Sequence, residues 1–262
     1  MAEIQIAHLS DPHVLRAYDG SKFDAHLLVP PVVYFRAALR KAVQYKPDCI
    51  VITGDLVHEG EEDDYAYLRE IIKHEASGIP VLAALGNHDL KERFYRGYLG
   101  ELRTKPYDYQ ADIRGYRFIA LDTSAEGEVD GAITETQVDW LEDILKQPSP
   151  NGTILFGHHP LESRQGWFRS TYPKRLLDVL QDSDVIAYLC GHAHYFECRS
   201  LRNILQITAD SLAHGAETTS EGIICTETRG YNTCWLEGRK LTVHAHQINS
   251  ASYQAPLWVT KL

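Results

Sequence analysis

Through Leu90 the chain alternates two hydrophobic patterns. Short apolar runs at Ile4–Leu9, Asp48–Thr53 and Pro80–Leu85 have the length and aliphatic content of strands, and the last two read as buried on both faces. Between them, Val32–Tyr45 spaces Val33, Ala37, Leu39, Ala42 and Val43 for a helix. Glu61–Glu75 is a second helix with an acidic first turn, which suits the positive end of the helix dipole. A short helix is expected after Asp89. This βαβαβ alternation predicts a parallel sheet.

Beyond it, Tyr107–Ile113 and Tyr116–Asp122 read as a strand pair joined at Arg114–Gly115. Thr134–Lys146 is a helix that starts at Thr134-Glu135-Thr136-Gln137. Thr153–Phe156 and Val185–Cys190 are buried strands around a helix near Lys174–Gln181. From Tyr195 onward the chain is strand-rich, with Ile204–Thr208, Gly222–Thr228, Thr233–Leu236 and Leu241–Gln247. The second half is therefore expected to form a more antiparallel sheet packed on the first. Val14–Pro31 and Leu161–Pro173 read as loops over a site, the latter carrying Trp167, Phe168, Arg169 and Tyr172.

Composition narrows the picture. The 262 residues are 44% hydrophobic and 24% charged, enough for a sizeable core. With no long linker, low-complexity tract or internal repeat, one domain spanning 1–262 is expected, with a strand-rich end from about 195. The net charge of -10 argues against a nucleic-acid partner, which a cationic surface would favour. The N-terminus lacks the basic and apolar regions of a secretory signal, and no apolar run approaches the ~20 residues of a membrane span. Five scattered cysteines without a CxxC pair suggest reduced, buried thiols and a cytoplasmic protein.

The candidate chemistry lies in five short polar blocks, each following a strand: Asp11-Pro12-His13, Gly54-Asp55, Gly86-Asn87-His88-Asp89, Gly157-His158-His159-Pro160 and Gly191-His192-Ala193-His194. Each has a plain alternative. Asp-Pro and Gly-Asp occur in ordinary turns, Asn87 could cap a helix, and single histidines such as His8, His74 and His244 are usually hydrogen-bonded core or surface residues. Together the blocks hold enough Asp, Asn and His for two adjacent metal ions. Asp11 and His13, two apart in extended backbone, would point the same way. The Asp55 carboxylate has two oxygens and could bridge two cations. The Asn87 amide oxygen is a possible neutral ligand. His88 is a titrating group that Asp89 could orient. Four histidines at two strand ends suit borderline metals, with His159 either ligand or core residue.

The ordered pattern D-x-H, GD, GNH, GHH and GHxH resembles the calcineurin-like metallophosphoesterase superfamily. The HLSDPH and HHP blocks are most similar to its bacterial phosphodiesterase branch, with its cyclic-nucleotide and glycerophosphodiester enzymes. The motifs run from Ile4 to His194, roughly three quarters of the chain. The resemblance implies an α/β fold of two packed, mostly mixed sheets flanked by helices, an αββα sandwich. It implies one metal on Asp11, His13, Asp55 and His194 and a second on Asp55, Asn87, His158 and His192. His88 would sit beside the phosphate. His214 is similar in position to a histidine that approaches substrate in glycerophosphodiesterase-like members. One departure stands out: His58 occupies the position of the tyrosine ligand of purple acid phosphatases, so no iron–tyrosinate site is expected.

These features imply a phosphodiesterase acting on a small diester by attack of a metal-bound hydroxide, with His88, Asp89 and His214 as the catalytic set. The cofactors would be two metal ions, with Mn, Fe, Zn and Co all compatible with a mixed His, carboxylate and amide set. The alternatives are a phosphomonoesterase using the same site, a nuclease, or a binding scaffold that has lost catalysis. The aromatic residues of Trp167–Tyr172 either shape the leaving-group pocket or pack the loop.

Overall fold

The computed structural model describes residues 3–21, 23, 27, 29–76, 78–125, 127–165, 168–219 and 222–248, and the backbone of 256–260. In chain order its elements begin with β1 (Glu3–Leu9), α1 (Pro31–Gln44), β2 (Cys49–Thr53), α2 (Glu62–Glu75), β3 (Val81–Ala84) and α3 (Lys91–Phe94), which runs into a π-helical turn at Tyr95–Leu99. There follow β4 (Tyr109–Ile113), β5 (Tyr116–Ala120), β6 (Gly131–Ala132), α4 (Glu135–Leu145), β7 (Thr153–Phe156), β8 (Ser170–Thr171), α5 (Leu176–Gln181) and β9 (Val185–Cys190). The chain then continues as β10 (Glu197–Leu201), β11 (Ile204–Thr208), β12 (Gly215–Thr219), β13 (Gly222–Thr226), β14 (Gly230–Glu237), β15 (Lys240–Gln247) and β16 (Pro256–Thr260).

Two mixed sheets face each other. The first has the order β15-β14-β1-β2-β3 and the second β10-β11-β9-β7-β5-β4. Strands β1, β2 and β3 are mutually parallel, as are β5, β7, β9 and β11. Between the sheets lie Ile4 and Ile6 of β1, Val51 of β2, Phe118 of β5, Phe156 of β7 and Leu189 of β9. The opposite face of the first sheet, with Leu9, Ile50 and Ile52, packs on Phe35 and Leu39 of α1 and on Leu68 and Ile71 of α2. The outer face of the second, with Ile119 and Leu155, packs on Val138 and Leu141 of α4 and Leu176 of α5. The layers are thus helix, sheet, sheet, helix. The central strands are apolar throughout because both of their faces are covered.

Local signals set the helix starts. Pro31 opens α1, where its missing N–H costs nothing. Thr134 caps α4 by accepting from Gln137 N at 3.2 Å, while Thr134 N donates to Gln137 Oε1 at 2.9 Å, a reciprocal pair at the helix start read from the sequence.

The second half departs from expectation. It does not form a mainly antiparallel sheet of its own. Its core strands β7, β9 and β11 are parallel, while β14 and β15 cross back to extend the first sheet through an antiparallel β1–β14 pairing that sets Ile6 against Cys234. β12, β13 and β16 make a separate three-stranded sheet. Hydrophobic alternation marks a strand but not its neighbour, so the sheet to which a strand belongs was not legible locally. The polar β10 and β12 carried too little alternation to be predicted at all.

A buried carboxylate ties α1 to α2. Glu75 accepts from Arg40 Nε and Nη2 at 2.8 and 2.7 Å and from Arg36 Nη1 at 2.9 Å. The Arg40 hydrogen bonds outweigh burial and hold the Glu75 pKa at about 2. A depressed carboxyl contributes fully above its unfolded value, near 4.3, and the contribution is lost as pH falls through the folded value, roughly 2. Arg40 is 61% exposed, so solvent screens the pair. Glu75→Gln should therefore cost about 1 kcal/mol at pH 7, roughly 2–4 °C in melting temperature. The gap between the two proteins should narrow as the pH of the melt is lowered from about 5. A gap that does not change with pH would show that shape, not charge, matters at this position.

Candidate metal centre

All five polar blocks lie beyond the carboxyl ends of parallel strands, the usual ligand edge of such sheets. Asp11 and His13 follow β1, Asp55 follows β2, and Asn87, His88 and Asp89 follow β3 of the first sheet. His158 and His159 follow β7, and His192 and His194 follow β9, of the second. The edge shared by the two sheets is therefore polar, although the layer beneath it is the apolar inter-sheet core.

The backbone there is strained. Asp11, His13, Asp55, His192 and His194 have φ of 52°, 41°, 49°, 66° and 56°. Left-handed backbone is unfavourable for residues with a Cβ, and Asp and His are among those that tolerate it best. Each such residue costs of order 1–3 kcal/mol and persists only where its surroundings impose it. Here hydrogen bonds impose it: Asp11 N donates to Gly54 O at 3.1 Å, His13 N to Asp55 O at 2.9 Å and Val14 N to Leu56 O at 2.9 Å. Asp11 and His13 thus converge by a left-handed turn, not by the extended alternation expected from their spacing.

Two groups of polar atoms result. One ligand atom from each of Asp11, His13, Asp55 and His194 lies within 4.8 Å of the others. In this group His194 Nε2 is 3.1 Å from Asp11 Oδ1, and His13 Nε2 is 3.5 Å from Asp55 Oδ2. In the second, His158 Nε2 lies 3.2 Å from Asn87 Oδ1, 3.2 Å from His192 Nδ1 and 3.4 Å from Asp55 Oδ2. The same Asp55 oxygen faces both groups, while its Oδ1 accepts from His88 N at 2.9 Å.

This arrangement suits cations. Asp11 Oδ1 and His13 Nε2 are buried and make no hydrogen bond among the described residues. His158 Nδ1 is 2.7 Å from Thr53 O and donates to it, so in the neutral ring Nε2 presents a lone pair to the oxygens of Asn87 and Asp55. Facing lone pairs repel unless a positive charge lies among them. A proton meets the same need: burial opposes it, but the Asp55 and Asp11 carboxylates push the His158 pKa up to about 9. The Asp55 carboxyl is held well below its ordinary value, the His158 charge overcoming burial. Burial, reinforced by neighbouring imidazoles and only partly opposed by Asp55, holds the His13 and His192 pKa values well below the ordinary range and keeps both rings neutral, as metal ligation requires.

The remaining candidates separate. The expected Asp89–His88 contact is not formed. Asp89 accepts from the backbone N–H of Gly86, Leu56 and Val57 at 2.9, 3.0 and 3.0 Å and from Tyr65 OH at 3.2 Å, so it braces the loops and does not orient His88. Burial and the Asp55 charge push its carboxyl up to about 7. The partner of His88 is Glu59, whose Oε1 is 2.9 Å from His88 Nδ1. No sequence signal marked Glu59, since the contact spans the gap between two loops. His159 is committed elsewhere, with Nδ1 2.8 Å from Thr123 Oγ1 and Nε2 3.1 Å from Val129 O. His214 lies 3.3 Å from His194, Nδ1 to Nδ1, and 3.1 Å from Gly215 O. His58 Nδ1 is 3.0 Å from His13 Nδ1.

A cleft of about 170 Å³ opens over these groups. Its polar floor includes His13, Asp55, Asn87, His88, His192, His194 and His214, and its wall is apolar: Val129, Phe168, Ala216, Ile223 and Cys225. Of the aromatic loop, Phe168 reaches the cleft, with its ring 5.4 Å from that of His192. Arg169 and Tyr172 turn to Glu162 at 3.3 and 3.2 Å, and Trp167 lies outside the described residues. The wall from β12 and β13 was not anticipated, because those strands are far in sequence from every motif.

The chain belongs to the calcineurin-like phosphoesterase family, whose model matches residues 4–196. It is 36% identical over 225 residues to a Rhodococcus erythropolis protein named probable cyclic nucleotide phosphodiesterase, across 82% of this chain and 73% of that one. It is 35% identical over 201 residues to a cAMP/cGMP dual specificity phosphodiesterase of Mycobacterium tuberculosis, across 72% of this chain but only 61% of that enzyme. The crystal structure of a dimetal phosphatase from Danio rerio shares the fold, with a TM-score of 0.65 at 16% identity over 95% of this chain and 100% of that one. The resemblance read from the five motifs is borne out at the level of the family.

Two block glycines are required by close approach. A Cβ at Gly86 would overlap the backbone N and Oδ1 of Asp55, and one at Gly191 would overlap Ser10 Oγ and Asp11 Oδ2. Gly86→Ala should cost about 1–3 kcal/mol, because the Asp55 backbone must move. Thermal melts of the metal-free protein would measure this, and an unchanged midpoint would show that the loop has slack.

Proposed function

We propose that the protein is a dinuclear metal-dependent phosphodiesterase that hydrolyses small phosphodiesters such as a cyclic nucleotide or a glycerophosphodiester. The observation that carries this reading is the single Asp55 oxygen that faces both ligand groups, in a chain of the calcineurin-like phosphoesterase family. Asp11, His13, Asp55 and His194 would hold one ion, and Asp55, Asn87, His158 and His192 the other. Two cations so held supply Lewis acidity at a phosphoryl oxygen and a nucleophile from water at neutral pH. The donor set accepts Mn, Fe, Zn or Co.

The chain's own residues do the rest. His88 lines the cleft, and Glu59 accepts its Nδ1–H, leaving Nε2 to hold a proton for the leaving oxygen. Glu59 thereby orients the His88 ring, the task the sequence suggested for Asp89. Phe168 and Ile223 offer apolar contact to the organic part of a diester. His214 lines the cleft beside His194. The C-terminal strands enter both main sheets, which supports one domain over 1–262. No helix among the described residues is long and apolar enough to cross a membrane. Buried thiols outside any disulfide at Cys49, Cys190 and Cys234 favour a reducing compartment such as the cytoplasm.

Metal-stripped protein reconstituted with Mn(II) should take up two equivalents by elemental analysis and hydrolyse diesters in a panel of diesters and monoesters. Asp55→Ala should lose both ions and Asp11→Ala mainly one. Fully loaded protein inactive on every diester would overturn the proposal, and a ceiling of one ion would overturn its dinuclear form.

His88→Ala should lower diester turnover by about 10²–10⁴ while retaining the metals. The loss should shrink for nitrophenyl esters, whose leaving group needs little protonation. An equal loss across leaving groups would assign His88 to charge stabilisation instead of proton donation.

A further inference from the structure

We propose that His58 is a positioning residue for the cation site formed by Asp11, His13, Asp55 and His194: it accepts the Nδ1 proton of His13 and so fixes the tautomer and direction of that ring. This rests on the metal-binding reading above. The geometry has three parts. His13 Nε2 is buried, makes no hydrogen bond among the described residues and faces Asp55 Oδ2 at 3.5 Å. A nitrogen that binds a cation must carry a lone pair, so the proton of a neutral His13 resides on Nδ1. That nitrogen is 3.0 Å from His58 Nδ1, which must then accept, leaving the His58 proton on Nε2.

Ligand histidines ordinarily donate the second nitrogen to a carbonyl or carboxylate. His158 does so here, with Thr53 O at 2.7 Å. His13 has a neutral imidazole in that place. The His58 ring is itself held between two others, 4.6 Å from Phe23 and 4.5 Å from His88, centroid to centroid. It therefore connects a ligand ring to the ring assigned to proton donation, with ligand atoms of His58, Glu59 and His88 all within 4.8 Å of one another. A carboxylate at the same place would add negative charge beside Asp11 and Asp55; an imidazole supplies the acceptor without it.

The test compares His58→Phe, which keeps a ring between Phe23 and His88 but removes the acceptor, with His58→Gln, which keeps a neutral acceptor. Each metal-stripped protein is titrated with Co(II), followed by calorimetry and by visible absorption, and its metal-free melting temperature is measured. Outer partners of a ligand histidine typically contribute 10–100-fold to metal affinity. His58→Phe should weaken one of two cobalt-binding steps by about that factor, leave the other within about threefold and alter the absorption of the weakened site. His58→Gln should recover most of the loss, with all three metal-free proteins melting alike. His58→Leu serves the same comparison if phenylalanine disturbs the fold. Unchanged binding by His58→Phe, equal weakening of both steps, or a glutamine variant no better than phenylalanine would overturn the proposal. If the wild type binds a single cobalt ion, the dinuclear reading fails, and weakening of that one step by His58→Phe still decides the role of His58.

Discussion

The site depends on the apolar contact between the two sheets. Ile6 and Val51 from one face Phe118, Phe156 and Leu189 from the other, and this packing sets the carboxyl ends of β1, β2 and β3 opposite those of β7 and β9. No single sheet holds a complete set of polar groups. The first supplies every carboxylate and the amide, the second the imidazoles of His158, His192 and His194. Packed sheets lie about 10 Å apart, a gap that loops a few residues long can close with Asp and His side chains. The core thus acts as a spacer, and a change in its thickness would be felt at Asp55, the residue common to both groups.

Strain at the edge is the counterpart of that rigidity. Five of the candidate ligands have left-handed backbone, and hydrogen bonds between blocks hold several of them. Asp11 and His13 hang on the carbonyls of Gly54 and Asp55, His192 N donates to Asp11 Oδ2 at 3.2 Å, and Glu59 N donates to His88 O at 3.0 Å. Asp89 adds three backbone bonds at the centre of this lattice. The blocks therefore brace one another. This differs from a site on one loop, where each residue could relax alone, and it is the preorganisation that a pair of cations needs to be held at a set spacing.

Electrostatics follow from the same closeness. A chain with net charge -10 buries Asp11 and Asp55 beside His13 and His192, whose burial disfavours a proton, so the edge is locally short of positive charge. The raised His158 and depressed Asp55 values are two expressions of one demand for a cation between them. Around this centre lies a second ring of partners: Thr53 O behind His158, Glu59 behind His88 and His58 behind His13. These differ in chemical type: a carbonyl, a carboxylate and an imidazole.

The sequence alone determined a great deal. Apolar runs located every strand that carries a polar block, because strands covered on both faces must be apolar along their length. Thr134 marked the start of its helix, since caps are local hydrogen bonds. The five blocks and their order identified the family. What only the tertiary structure decided was pairing. It sent β14 and β15 to the first sheet, gave His88 the carboxylate of Glu59 in place of Asp89, committed His159 to Thr123 and Val129, and brought His58 against His13. The deciding contacts join residues 29, 36 and 45 positions apart, for His88–Glu59, His159–Thr123 and His13–His58. Residue type and local spacing specify what a side chain can do. Which group it meets depends on how two sheets, each formed from distant segments, come to rest on one another.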